Sequence, residues 1–517
     1  MRTIGTAAAL ATTIAAAAIG LAPVAVGVDK QQQIAWEQCP DGVTKPGAEC
    51  GRIDVPLDYS QPDGATISVG FIRVKGANSH GAVFTNPGGP GGSAYSYVGA
   101  DQPFTLPDSI TSQWDMVGVQ PRGLVGSTPI DCGQGESIDL ASALFSNGAA
   151  LRQACEASNP GYGPHITTEN TARDWEEVRR ALGYEKINIL GLSYGTILGS
   201  VYATLFPHVA DKVVLDSGTS PTTFWSELMQ AQEAGYTQAF HDFFAYVATR
   251  NDAYGLGTTP YAVYTSWAKK VQQESGAWPT ITPPKATMAD LPAELAALGP
   301  AGLDAFNAAA PTQASSQGLS SQATTGGNQA ASPTVQLTRQ IAPIPREWDH
   351  LAAIVSGQEQ TPNVDASALS EATKNIIVNS QLMQQVIMCN EGYSPTNPLL
   401  WPKYLWGVLV SNDPIATPPA AFGSGAVCAG AEPTTHVPAL DGGQLATRPL
   451  ELQGTGDPQT PYGLYHGMSD PMGSTVVTVH GPGHGHVGLG NDAAEALVAH
   501  YLLTGEVATT DLPGLHT

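Results

Sequence analysis

INILGLSYGTILGSVYATLF, residues 187–206, holds the fold and the chemistry in one line. INIL is a short β-branched, apolar run of buried-strand type, and TILGSVYATLF reads as a helix. Between them Gly191-Leu192-Ser193-Tyr194-Gly195 fits G-x-S-x-G, in which small flanking residues let a serine sit on a sharp turn with its hydroxyl exposed. The pentapeptide alone is weak evidence in a chain with 57 glycines. Its placement after a strand and before a helix makes Ser193 a candidate nucleophile.

Working outward, further strand-like runs fall at 67–74, 82–85, 116–119, 212–215, 450–453 and 475–479. TARDWEEVRRALG, residues 171–183, puts Trp175, Val178 and Leu182 on one helical face, with Gly183 where a C-terminal cap belongs. Another helix is expected from about 491 to 503. Strands alternating with helices imply an α/β fold with a mostly parallel sheet. The sheet is interrupted between about residues 218 and 445, where helix-like runs such as WSELMQAQEAGYTQAFHDFFAYV (225–247) dominate. The expected organisation is a signal peptide at 1–27, the first part of an α/β core at 28–217, an inserted, mainly helical cap at 218–445, and the rest of the core at 446–517. Within the cap the stretch from 296 to 333 has almost no large apolar residues and is expected to be a mobile loop.

The chain has 517 residues and a formal net charge of -23, so its surface repels nucleic acid and anionic membranes. Arg2 precedes a small, apolar run from Ala7 to Val26 of signal-peptide type, which implies export and no stable membrane association after cleavage. Six cysteines, an even number without C-x-x-C, favour disulfides over zinc. Pairing nearest neighbours closes the shortest loops: Cys39 with Cys50, Cys132 with Cys155, and Cys389 with Cys428.

A serine hydroxyl needs a general base, and the base needs an orienting carboxylate; in this architecture they follow in the order Ser, Asp or Glu, His. ELQGTGDPQTP places Asp457 just after a strand, and VVTVHGPGHGHVG places His480, His484 and His486 at and beyond the next. His484, between glycines, ranks first and His486 second; His480 sits at the strand end. Three histidines in one loop could suggest metal, but their spacing offers no helical i, i+4 pair, so neither metal nor other cofactor is expected. FTNPGGPGGSA supplies a glycine loop after an early strand, and the N–H groups of Gly88 or Gly89, with that of Tyr194, are candidates for holding an oxyanion. A phosphate-binding loop would need a lysine that is missing.

Taken together, VPLDY (55–59), NPGGPGGSA (86–94), WDMVGVQPRGLVGSTP (114–129), the span from Thr171 through GLSYGT to VVLDSG (213–218), GTGDPQTP (454–461) and GPGHGH (481–486) resemble the secreted tripeptidyl aminopeptidase and proline iminopeptidase branch of the α/β-hydrolases. The resemblance implies that Ser193, Asp457 and His484 are a catalytic triad and that the glycine loop with Tyr194 forms the oxyanion hole. It implies a peptide substrate with a free N-terminus, whose ammonium calls for a carboxylate near the cap. Glu391 matches that family position approximately. The chain departs from the family at Gln120, where D-P-R-G is usual, and at Cys389-Asn390-Glu391, where C-x-D is usual. A small ester or other acyl compound is the alternative substrate, since one triad serves many acyl groups. Oligomeric state is not legible.

Overall fold

The computed structural model describes residues 33–516 except 102, 134–138, 224–225, 362–368 and 393–396. The expected signal segment at 1–27 lies outside the described residues. Ten strands form one sheet: β1 (Ala35–Glu37), β2 (Ala48–Pro56), β3 (Thr66–Val74), β4 (Ala82–Asn86), β5 (Asp115–Val119), β6 (Ile187–Leu192), β7 (Ala210–Asp216), β8 (Leu450–Gly456), β9 (Thr475–Pro482) and β10 (Asp511–Pro513). Their spatial order is β1-β2-β3-β5-β4-β6-β7-β8-β9-β10. The pairs among β1, β2, β3 and β5 are antiparallel, and every later pair is parallel. The centre of the sheet is covered on both faces, so β4, β5 and β6 are buried at every position, including the polar Thr85, Asn86, Asp115 and Asn188.

One face is covered by the helices Thr168–Leu182 and Tyr194–Leu205, which bring Trp175, Val178, Leu198 and Tyr202 onto Phe84, Ile189 and Val213. The first of them starts where Thr167 accepts the N–H of Asn170 and stops at Gly183, which adopts φ 79°. The other face takes the helices Ala94–Gly99 and Asp492–Thr504, with Val498, Tyr501 and Leu502 against Leu190, Val214 and Leu452. Three disulfides join Cys39 to Cys50, Cys132 to Cys155 and Cys389 to Cys428.

Between the end of β7 and the start of β8 the described residues contain helices and no strand. Part of this segment has its own aromatic core, in which Phe240, Phe243, Phe244, Trp267 and Trp348 are fully buried. The stretch expected to be a mobile loop is instead helical from Pro300 to Thr325. Small residues explain the difference. Gly302, Ala310, Ala314, Gly318 and Ser321 are buried, and a Cβ on Gly318 would stand 2.7 Å from Thr280 Cγ2. The helix therefore packs by close approach, a signal that a search for large apolar residues passes over. No described helix is long and apolar enough to cross a membrane.

Candidate active site

Ser193 sits between β6 and the helix it opens, at φ 58° and ψ -124°. Both motif glycines are sterically required there. A Cβ on Gly191 would stand 2.2 Å from the carbonyl oxygen of Gly195, and one on Gly195 would stand 2.3 Å from that of Asn86. A non-glycine residue at positive φ is strained, and here the strain places the serine at the C-terminal edge of the parallel strands, where such sheets bind ligands.

The glycine loop passes directly over this turn. A Cβ on Gly88 would stand 2.5 Å from the oxygen of Leu192, 2.8 Å from Ser193 Cβ and 3.1 Å from the Tyr194 nitrogen. The two candidate donors of the loop separate: the Gly88 N–H donates to Asn86 Oδ1 at 2.8 Å, whereas the exposed Gly89 N–H meets no acceptor among the described residues. Helix Glu371–Glu391 braces the loop from outside, with Ser380 Oγ donating to the Gly91 oxygen and Gln384 Nε2 to that of Gly89. The departure at Gln120 also has a local use. Its Oε1 accepts the Ala94 N–H at 2.9 Å while its Nε2 donates to the Val125 oxygen at 2.6 Å, a two-way role closed to an ionised carboxylate.

Asp457 and His484 meet. His484 Nδ1 lies 3.0 and 2.9 Å from the two carboxylate oxygens of Asp457. Asp457 also accepts the N–H groups of Gln459 and Thr460 and the Thr460 hydroxyl, each at 2.8 Å. Burial pushes its carboxyl pKa up, but the neighbouring imidazole and the Thr460 donors outweigh burial and hold it below the ordinary value. The other two histidines do not compete. His480 is exposed and pairs with Asp511 at 2.9 Å, and His486 is buried, its pKa pushed down by desolvation so that the ring is neutral.

Sequence reasoning missed the dipeptide that hangs these parts together, Asp216-Ser217 at the end of β7. The Asp216 backbone oxygen accepts the Ser193 N–H at 2.9 Å. Its Oδ2 accepts the N–H groups of His486 and Val487, and Ser217 Oγ accepts that of Gly485, all at 2.8 Å. The Ser217 oxygen takes the Thr460 hydroxyl at 3.2 Å, which reaches Asp457. VVLDSG was visible as a motif; that it ends a strand beside β6 and β8 was its only positional clue.

Glu391 is buried at the last turn of its helix. Its carboxylate accepts the N–H and the hydroxyl of Thr168, at 2.5 and 2.8 Å, and the same hydroxyl meets the Tyr194 hydroxyl at 2.7 Å. Desolvation raises its pKa to about 7, against the Thr168 hydrogen bonds. It lines a cleft of about 530 Å³ with Pro221, Thr222, Ser226 and His436. No group of metal-ligating side chains occurs among the described residues.

A serine on a strained strand-to-helix turn, a glycine loop over it and an oriented histidine make up the equipment of acyl transfer. The chain is an α/β-hydrolase of the serine-hydrolase class, and its similarity lies with the tripeptidyl aminopeptidase branch. Residues 81–298 match the alpha/beta hydrolase fold family, and residues 419–513 match the family described as TAP-like protein. The tripeptidyl aminopeptidase of Streptomyces lividans is 28% identical over 93% of this chain and 86% of its own. The serine protease Hip1 of Mycobacterium tuberculosis is 32% identical over 44% of this chain and 48% of its own. Carboxylesterase B of the same organism is 27% identical over 95% and 92%.

Proposed function

We propose that this chain is an exported exopeptidase that releases short peptides or single residues from free N-termini, with Ser193, His484 and Asp457 as its triad. Ser193 Oγ attacks the scissile carbonyl as His484 takes its proton; the same imidazole then delivers that proton to the departing amine. Asp457 fixes the ring and stabilises its cationic form. The oxyanion falls to the N–H groups of Gly89 and Tyr194, and water releases the acyl group in a second pass through His484. The observation that carries this reading is the doubly contacted Asp457–His484 pair, tied to Asp216 and Ser217, the first of which also holds the Ser193 turn.

Peptide rather than ester chemistry is favoured by the tripeptidyl aminopeptidase relative, similar along most of both chains, and by Glu391. Linked through Thr168 to the residue after the nucleophile, Glu391 is the carboxylate we assign to the substrate ammonium. Residues 218–445 act as a cap over the site, and residues 1–27 direct export and are removed.

Peptide p-nitroanilides with a free N-terminus should be hydrolysed and their N-acetylated counterparts should not. Equal turnover of the blocked substrates sinks the exopeptidase assignment. Turnover of simple esters alone would make the chain an esterase working with the same groups.

A further inference from the structure

Of the arginines among the described residues, Arg339 is the one with neither an ion pair nor a hydrogen bond. In a chain of net charge -23 such a cation is out of place. Its guanidinium stacks on the Tyr236 ring with Cζ 5.1 Å from the centroid; its Nε is enclosed, while the residue as a whole is only half-buried and its two terminal nitrogens meet no acceptor among the described residues. A planar guanidinium is the side chain best shaped to grip a carboxylate with two parallel bonds, and the two terminal nitrogens can supply both.

Its position relative to the triad residues indicates what it faces. Arg339 lies near the end of helix Pro333–Ile341, and the chain just beyond it rests on the histidine loop: Pro343 O accepts the His484 N–H at 2.8 Å, and Pro345 lies against Gly483. Tyr236, under the guanidinium, belongs to helix Glu227–Ala248, which abuts the acid loop. Gln232 Nε2 donates to the Gln459 oxygen at 2.8 Å, and a Cβ on Gly235 would stand 2.7 Å from the Pro458 oxygen. Tyr236 also feels the charges of both Arg339 and Asp457. The cation thus stands on the His484–Asp457 side of the site. In acyl transfer the departing amine lies on that side, because the histidine must protonate it.

We infer that Arg339 is a carboxylate-binding subsite for the leaving segment of the substrate, so that the enzyme favours short peptides ending in a free carboxylate, or an acidic residue, just beyond the scissile bond. This rests on the exopeptidase assignment and names the substrate class more closely.

The test compares free-amine peptides identical up to the scissile bond. One pair ends in alanine as free acid or amide, and a second carries Glu-Ala-amide or Gln-Ala-amide as its leaving segment. The native chain should prefer the carboxylate member of at least one pair by about 10- to 100-fold in kcat/KM, the usual worth of a charge-assisted hydrogen bond. The pair that responds identifies the source of the carboxylate. Arg339→Gln should bring that ratio near one, and Arg339→Lys, which keeps the charge without the fork, should fall between. A native ratio near one, or the same ratio in Arg339→Gln, overturns the inference. The same peptides are also tested as inhibitors of p-nitrophenyl acetate hydrolysis. If no peptide is cleaved, the exopeptidase assignment fails by itself, and the subsite is judged by inhibition. Tighter binding of the carboxylate forms to the native chain but not to Arg339→Gln supports it, and equal binding overturns it.

Discussion

The backbone N–H of Ser193 donates to the backbone oxygen of Asp216 at 2.9 Å, while the Asp216 carboxylate holds the loop that carries His484. Nucleophile and base therefore share one anchor at the end of β7. Ser217 completes it at φ 56°, a backbone conformation in which glycine is more comfortable than serine. Retaining serine there keeps the hydroxyl that accepts the Gly485 N–H.

Ser217→Gly separates those two roles, since it suits the backbone and deletes the acceptor. One hydrogen bond is worth about 1 kcal/mol, so kcat should fall roughly five-fold or more through misplacement of His484, with KM and the melting temperature little changed. Steady-state kinetics alongside thermal unfolding checks this; an unchanged kcat would show that the histidine loop is positioned by other contacts.

Glu391 carries a pH signature. With its pKa raised to about 7, it is neutral below that pH and can hold an ammonium as a carboxylate only above it. KM for free-amine peptides should accordingly drop as pH rises through 7. Glu391→Gln should raise KM by an order of magnitude or so and abolish that dependence. A KM profile measured from pH 5 to 9 that is identical in both proteins removes Glu391 from substrate binding.

Glu451 makes a stability prediction independent of activity. It is buried near the start of β8 beside Gly218, and desolvation raises its pKa to about 8 from an ordinary 4.5. The folded state therefore binds a proton that the unfolded chain releases. That contribution is complete below about pH 4.5 and is lost as pH rises through 8, at about 1.4 kcal/mol per pH unit in between. Glu451→Gln should flatten the decline of stability between pH 5 and 8.5 in urea titrations. A native chain with no such decline contradicts the assignment.

How far the sequence could be read follows from the kind of signal each element emits. Seven strands were legible because their apolar runs are bounded by turn residues. The short β1 and β10 were not, and β2, AECGRIDVP, hides its alternation behind charges and a half-cystine. The order Ser193, Asp457, His484 was legible because strand ends and glycine turns mark such positions in the chain. Asp216, Ser217 and Thr460 were not, since the contacts that give them their role include partners more than 200 residues away in the chain. The helix at 300–325 escaped for a different reason: its packing rests on small residues, which look the same in a disordered segment.

The central claim is that Ser193 is the nucleophile, and covalent labelling tests it most directly. After reaction with a fluorophosphonate, peptide mass mapping should place one adduct on Ser193, in step with loss of hydrolysis, and Ser193→Ala should take up no label while keeping its fold. That variant should retain only about 10³- to 10⁴-fold rate enhancement over water, the share left to the oxyanion donors and binding. An adduct on another residue, or near-native turnover by Ser193→Ala, would contradict the account.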